Sequence, residues 1–104
     1  PAWPMTSPVL FFHTSLAKCR ARKRSGRPVA SICHGPWLLV ESGLVDGKTL
    51  TSYQSVKTDI VNAGGSWVDE QVKVCPANGW TLITSRNPGD LDAFVGAIED
   101  QLTA

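Results

Sequence analysis

The residues best suited to chemistry in this sequence are the five at 31–35, Ser-Ile-Cys-His-Gly, which place a thiol next to an imidazole. A cysteine thiolate is a strong nucleophile, and a histidine can accept and return a proton, so this pair is typical of covalent catalysis at a carbonyl carbon. Cys33 is therefore the candidate nucleophile and His34 its candidate partner. Two plainer interpretations compete: a buried cysteine is commonly a small hydrophobic residue, and a histidine can simply bond to the backbone.

The segments around this pair are expected to place it at a sharp corner. The apolar run at 28–32 predicts a buried strand, and Gly35-Pro36 predicts the start of a helix that continues to about Ser42. A tight strand-to-helix turn needs small residues two positions before and after its apex, and Ser31 and Gly35 supply them around Cys33.

Such a corner would also activate the cysteine. The first N–H groups of a helix point away from it and carry a partial positive charge, which favours a thiolate placed there. The backbone N–H groups of His34 and Gly35 would then stabilise an oxyanion that forms beside Cys33.

Downstream of the corner, strand and helix signals alternate, which predicts an α/β fold. The predicted elements are a strand at 48–52, a helix at 54–63, strands at 67–74 and 80–84 paired around a turn at 76–79, and a helix capped by Asn87 and begun by Pro88. The apolar stripe of the last helix is expected to comprise Leu91, Phe94, Val95, Ile98 and Leu102.

The charge distribution divides the chain near Pro28. Residues 1–27 carry six basic and no acidic side chains, whereas residues 28–104 carry four basic and nine acidic ones. The first part is interpreted as an atypical basic leader, and translation in a shifted reading frame or from a misplaced start is one hypothesis for it. A basic arm that binds nucleic-acid phosphates is the functional alternative, which the absence of a recognition motif disfavours.

Length and composition exclude several classes of protein. A chain of 104 residues holds one modest domain, and its apolar runs are too short to cross a bilayer. Three cysteines, an odd number without a close pair, indicate neither a disulfide framework nor a zinc site. No phosphate-binding glycine-rich loop occurs. We therefore expect a cytoplasmic protein without a membrane span, metal or organic cofactor.

Six segments carry a resemblance to a known family. They lie at 28–37, 47–52, 57–59, 62–65, 67–70 and 83–88. In their order, spacing and residue identities they resemble the PfpI-like family. That family includes intracellular cysteine peptidases, general stress proteins and parkinsonism-associated deglycases, within the class I glutamine-amidotransferase-like superfamily. The resemblance covers essentially all of residues 28–104.

The resemblance implies a flavodoxin-like α/β sandwich with a parallel sheet, the site lying at the carboxyl ends of the strands. Cys33 matches the family nucleophile and His34 the histidine that follows it. The third functional group of the family is a Glu near the end of its first strand, supplemented in peptidase-like members by a neighbouring subunit. It has no counterpart here, because the first acidic residue is Glu41. The N-terminal strands and helices of the family are likewise expected to be missing.

Three functions are therefore considered. The first is a cysteine-nucleophile hydrolase or deglycase, a stress-protection domain that acts on an electrophilic carbonyl of a peptide, a glyoxal-type aldehyde or a glycated adduct, and that forms a homo-oligomer. The second is a catalytically inactive fragment of such a protein. The third is the nucleic-acid-binding basic arm, which ranks last.

Overall fold

The computed structural model describes residues 28–103, so the basic leader predicted at 1–27 lies outside the described residues. This part of the chain contains strands β1 to β5 and helices α1 to α3. They are β1 (Val29–Ile32), α1 (Pro36–Glu41), β2 (Thr49–Leu50), α2 (Lys57–Asn62), β3 (Ser66–Trp67), β4 (Val72–Cys75), β5 (Leu82–Ser85) and α3 (Leu91–Thr103).

Three short 3₁₀ turns precede or connect these elements, at Gln54–Val56, Ala77–Gly79 and Pro88–Asp90. The single helix predicted at 54–63 is thus a 3₁₀ turn followed by α2. The turn predicted at 76–79 is present, and Asn78 and Gly79 adopt the positive φ angles, 65° and 81°, that an Asn-Gly pair tolerates.

The strands form two separate sheets within residues 28–103. The first has the order β1-β5-β4, with β1 and β5 parallel and β4 and β5 antiparallel. The second is a parallel pair, β2 and β3. The expected parallel sheet is therefore mixed, because β4 returns beside β5 through the Asn-Gly turn.

Alternation along the central strands builds one core on each face of the first sheet. Val29 and Leu82 are paired in register and face α1 and α2, whereas Ala30 and Ile83, the next pair, face α3. All four side chains are buried. Since successive strand residues point to opposite faces, this register produces an α/β sandwich that holds the carboxyl ends of β1 and β5 side by side.

The prediction of a single strand at 67–74 is wrong for the first half of that range. Trp67 belongs to β3 and pairs with Leu50 of β2, and Val68 N–H then donates to Leu50 C=O. The chain crosses to the other sheet over exposed residues 69–71 before β4 begins at Val72. The split between β3 and β4 is set by the strands with which each half pairs, which lie far away in the sequence. The local alternation of apolar and polar residues does not reveal it.

The helix predicted from Pro88 is a 3₁₀ turn, Pro88–Asp90, followed by α3, and its buried stripe is narrower than predicted. The side chain of Asn87 accepts a hydrogen bond from Gly89 N–H, and Pro88 opens the first turn. Phe94 and Ile98 are buried, whereas Leu91 and Val95 are about half exposed. The stripe is narrow because Val95 lies about 100° around the helix from Phe94, and the side chain of Leu102 lies outside the described residues.

A buried lysine joins the two sheets at the amino ends of β2 and β5. Lys48 is 1% exposed, and its Nζ donates to the carbonyl oxygens of Cys75, Ala77 and Trp80. The ammonium also lies 4.0 Å from the centroid of the Trp80 ring. The three protons of the ammonium meet three carbonyl acceptors, which lowers the cost of burying this charge. We call this group the Lys48 cage.

Candidate functional site

Cys33 occupies the sharp corner that the sequence predicts. It follows β1, its φ angle is 65°, and the helical residues of α1 begin three positions later. Left-handed backbone is strained for a residue with a Cβ atom, and such strain concentrates at functional sites. The corner is held by two hydrogen bonds, from Cys33 N–H to Ser85 C=O (3.1 Å) and from Gly35 N–H to Ile32 C=O (3.0 Å).

The backbone N–H groups of the corner differ in whether they already have an acceptor. Cys33 N–H extends the β1–β5 ladder, and Gly35 N–H closes the turn, so both already have acceptors. His34 N–H makes no hydrogen bond within residues 28–103. Of the two N–H groups that the sequence suggested for an oxyanion, that of His34 is therefore the open one, and Gly35 serves the turn.

The imidazole of His34 is exposed and lies among three side chains. Its ring stacks on Tyr53, with 4.7 Å between the ring centroids, and is tilted against Trp37 at 5.0 Å. Its Nε2 is 3.3 Å from Ser55 Oγ. The backbone adds a further link, since Tyr53 N–H donates to Cys33 C=O at 2.8 Å. Residues after β2 therefore support the corner, a role that local sequence patterns do not signal.

The structure brings Cys33 and His34 to one corner without pairing their side chains. No hydrogen bond joins the Cys33 thiol to the His34 ring in the part of the chain that is described. Catalytic hydrogen bonds are often long in a site without substrate and shorten when substrate binds. The proton-transfer role of His34 accordingly stays a prediction.

Two surface depressions lie near the corner; each is lined by one of the rings that contact His34, and neither is lined by Cys33 or His34. One, of about 400 Å³, lies between α1 and α2 next to Trp37, whose indole Nε1–H donates to Asp59 at 2.9 Å. The other, of about 540 Å³, lies at the carboxyl ends of β2, β3 and β5, and its volume is in the range of small-molecule sites. Its lining residues are Ser52, Tyr53, Gln54, Lys57, Trp67, Asp69, Arg86 and Asn87.

An ion-pair network secures the carboxyl end of β5 under this cleft. The Arg86 guanidinium contacts both oxygens of Asp90, at 2.8 Å and 3.0 Å, and Asp69 at 2.8 Å. The hydrogen bonds from Arg86 hold the pKa of Asp90 below its usual range and outweigh the burial of the carboxyl group, which raises it. Because Ser85 C=O accepts from Cys33 N–H, this network stabilises the strand end on which the corner rests.

Cys75 is the other cysteine that the structure describes, and it lies away from the corner. It ends β4, is 6% exposed, and its Sγ accepts a hydrogen bond from Thr49 N–H at 3.4 Å. Burial raises the pKa of the Cys75 thiol. The N–H groups of Thr49 and Ala77 and the charges of Lys48 and Lys73 together lower this pKa by more, so the net effect is a decrease. Cys75 is thus buried beside the Lys48 cage. Cys19 lies outside the described residues.

Residues 28–103 contain no group of three or more His, Cys, Asp or Glu side chains arranged to hold a metal ion. None of the helices in this range is long and apolar enough to cross a membrane.

Comparison with known proteins finds relatives that are similar to part of this chain. The chain is 44% identical over 70 residues to Deglycase PfpI of Pyrococcus furiosus, which covers 67% of this chain and 40% of that protein. It is 46% identical over 68 residues to General stress protein 18 of Bacillus subtilis, covering 65% of this chain and 38% of that protein. The chain thus spans about two fifths of the length of these relatives.

A solved structure supports the fold. The chain superposes, with a TM-score of 0.78 and 39% identity, on a two-domain protein of Anabaena variabilis that contains DJ-1/ThiJ/PfpI-like and ferritin-like domains. The match covers 85% of this chain and 25% of that one. The expected α/β fold of the family is therefore confirmed.

The resemblance seen in the sequence is confirmed at the level of the family as well. The sequence profile described as the DJ-1/PfpI family matches residues 13–101, which include the strained corner at Cys33 and every strand described above. The chain belongs to the DJ-1/PfpI family.

Proposed function

We propose that this chain carries the nucleophile of a hydrolase or deglycase that acts on an electrophilic carbonyl through a covalent Cys33 adduct. The observation that carries the proposal is the geometry of the corner. Cys33 has a φ angle of 65° at the carboxyl edge of β1, and the next residue has a backbone N–H without an acceptor in residues 28–103. A strained nucleophile followed by an open N–H is the arrangement that acyl-transfer chemistry requires.

The proposed reaction with an amide begins when the Cys33 thiolate forms a bond to the carbonyl carbon and the carbonyl π electrons move to oxygen. His34 N–H donates a hydrogen bond to that oxyanion. Collapse of the adduct expels the amine, which takes a proton from the His34 imidazolium and leaves a neutral imidazole and a thioester on Cys33. Water then adds to the thioester with His34 as base and releases the acid and the thiolate.

The names of the relatives support the choice of substrate class. One relative is named a deglycase and another a general stress protein, which favours glycated adducts and glyoxal-type aldehydes beside peptides as carbonyl substrates. The 540 Å³ cleft next to Tyr53 has room for a small molecule or a short peptide segment.

The same proposal includes a homo-oligomer and a reducing compartment. A neighbouring copy would supply contacts that supplement the acidic group of the family, as the family resemblance implies for peptidase-like members. A reactive thiolate at an exposed corner stays reduced only where disulfides are disfavoured, which supports a cytoplasmic location. The proposed steps use protein groups alone.

The test compares the reactivity of the cysteines with substrate turnover. Native protein is alkylated with iodoacetamide, and each cysteine-containing peptide is quantified by mass spectrometry. We expect Cys33 to be labelled well before Cys75, which is buried, and a glyoxal adduct or peptide amide to be hydrolysed only by protein with an unlabelled Cys33. Equal labelling of Cys19, Cys33 and Cys75, without turnover, would refute the proposal and identify an unassembled site.

A further inference from the structure

The 540 Å³ cleft at the carboxyl ends of β2, β3 and β5 is lined by more cationic than anionic side chains. Lys57 and Arg86 are the cations, and Asp69 is the anion. An ammonium and a guanidinium carry donors and no acceptor, so the direction of any hydrogen bond that they form is fixed. The charged part of the cleft wall therefore favours a ligand with an anionic group.

The two cations of the cleft differ in whether a carboxylate already pairs with them. Arg86 forms ion pairs with Asp69 and Asp90, both at 2.8 Å. Lys57 is exposed, and within residues 28–103 it forms no ion pair. Its Nζ instead lies 5.2 Å from the centroid of the Trp67 ring. The three protons of this ammonium are thus open to an acceptor on a ligand.

The Trp67 ring under this ammonium is held in place. Its indole Nε1–H donates to Ser52 Oγ at 3.0 Å, and the half-buried ring packs against the core that β1 and β5 share with α1 and α2. A cation placed over an indole ring is attracted to it, which keeps Lys57 on this side of the cleft. A flat apolar wall next to an unpaired charge fits a short carbon chain that ends in a carboxylate.

The opposite end of the cleft lies beside the strand end that holds the corner. Cys33 N–H donates to Ser85 C=O at 3.1 Å. Arg86 and Asn87 follow directly in the chain, and both line the cleft. A substrate whose carbonyl carbon lies at Cys33 can therefore extend along the cleft, past the indole ring, to the ammonium of Lys57.

We propose that Lys57 binds a carboxylate of the substrate, so that the cleft selects carbonyl compounds and peptides with a carboxylate several bonds away from the reacting carbon. One cation without an ion pair in residues 28–103 matches a single negative charge better than a phosphate dianion. The selection of a carbonyl substrate rests on the proposed function, whereas the binding of a carboxylate does not. Binding is therefore tested first, without turnover.

The binding test compares succinamate, which has one carboxylate and one amide, with succinamide, the neutral diamide of the same length. Each is titrated into ¹⁵N-labelled protein, and the indole N–H signal of Trp67, assigned with Trp67→Phe, gives the Kd. We expect the Kd of succinamate to be about fivefold lower, the value of an exposed ion pair. Equal Kd values would overturn the inference, and tighter binding of inorganic phosphate than of succinamate would overturn the choice of a carboxylate.

Three variants show whether Lys57 is the source of the preference. Lys57→Met should bring the ratio of the two Kd values to about one, and Lys57→Arg, which retains the charge, should keep it at about five. The matched control is Lys73→Met, because Lys73 lies on β4 and does not line the cleft. The control should have the ratio of the parent. A parent-like ratio in Lys57→Met would remove Lys57 from the site.

Turnover then tests the use of the site in selecting substrates. Succinyl-trialanine p-nitroanilide and acetyl-trialanine p-nitroanilide present the same scissile amide, but only the first has a carboxylate. We expect the ratio of their kcat/KM values to be about five in the parent and about one in Lys57→Met. Equal kcat/KM values in the parent would overturn the selection by Lys57 and leave the proposed function intact. A preference for succinamate in a parent that hydrolyses neither substrate would refute the proposed function and support the carboxylate site.

Discussion

The corner at Cys33 and the Lys48 cage lie at opposite ends of the parallel strands, and they use hydrogen bonds in opposite ways. In the cage, the three protons of one buried ammonium meet three backbone carbonyls. At the corner, a thiol, a backbone N–H and one imidazole nitrogen have no partner in residues 28–103. One end of the fold is saturated, and the other leaves polar groups without a partner in residues 28–103.

Burial explains why Lys48 and His34 differ in this way. An unpaired polar group costs much more free energy in the interior than at the surface. Lys48 is 1% exposed and must be satisfied within the chain, whereas His34 is exposed and can leave groups open to water. We therefore expect variants of the cage to change mainly stability and variants of the corner to change mainly reactivity.

The largest effect is expected from Cys33→Ser, which should reduce covalent labelling and turnover at least about a thousandfold, because the thiolate is the reacting atom. Its free energy of unfolding should change by less than about 0.5 kcal/mol, since the corner is not part of the core. Urea unfolding and labelling kinetics on the same samples measure both quantities. Residual turnover near that of the parent would remove Cys33 from the mechanism.

Lys48→Met is the reciprocal variant at the saturated end. It leaves three carbonyl oxygens without their donor, and we expect the free energy of unfolding to fall by about 1–3 kcal/mol, the cost of leaving buried hydrogen-bonding groups unsatisfied. The matched control is Lys57→Met, an exposed lysine 5.2 Å from the centroid of the Trp67 ring, with an expected cost below about 1 kcal/mol.

Chemical denaturation of both lysine variants measures the contrast. Labelling of Cys33 at low denaturant should keep its selectivity in Lys48→Met for as long as the protein is folded. If the two lysine variants were equally stable, the cage would not be a stabilising structure and the division between the edges would fail.

The Arg86–Asp90 pair makes a pH-dependent contribution beneath the open edge. The pKa of Asp90 is lowered in the fold, chiefly by hydrogen bonds from Arg86. A folded-state pKa below the unfolded value of about 4 means that the stabilisation is complete above that value and is lost as the pH falls through the folded-state pKa. Asp90→Asn should therefore flatten the decrease in unfolding free energy between about pH 5 and pH 2.

Urea unfolding at a series of pH values measures this slope for the parent and the variant. Ser85, the neighbour of Arg86, accepts a hydrogen bond from Cys33 N–H. Asp90→Asn should therefore also reduce the ratio of the Cys33 labelling rate to the Cys75 labelling rate. Parallel pH profiles for the two proteins would show that the ion pair does not support the strand end.

Local signals explain what the sequence could predict. The small residues Ser31 and Gly35 around Cys33 indicate a tight turn without reference to the rest of the chain, and Asn78-Gly79 likewise indicates positive φ angles. Both turns are present. Each depends on conformational preferences of a few adjacent residues, which is why the candidate nucleophile could be located before its surroundings were known.

Contacts between residues that are far apart in the chain could not be predicted from the sequence. The carbonyls that hold Lys48 come from residues 27 to 32 positions away, and Ser55 lies 21 positions from His34. The run at 67–74 divides between two sheets because Trp67 pairs with Leu50. No periodicity encodes such contacts, since tertiary pairing rather than local propensity decides them.

The smallest effect, and the sharpest test of strain at the corner, is the difference between Cys33→Gly and Cys33→Ala. Both remove the thiol, but glycine adopts a φ angle of 65° without a Cβ clash, whereas alanine retains the strain. We expect Cys33→Gly to exceed Cys33→Ala in unfolding free energy by about 1 kcal/mol, after the entropy that glycine adds to the unfolded chain. The matched control is Ala93→Gly in α3, where helical backbone reverses the sign and costs about 1 kcal/mol. If Gly and Ala were equal at position 33, or Ala more stable, the corner would be relaxed rather than strained, and its reactivity would have to come from the open N–H of His34 alone.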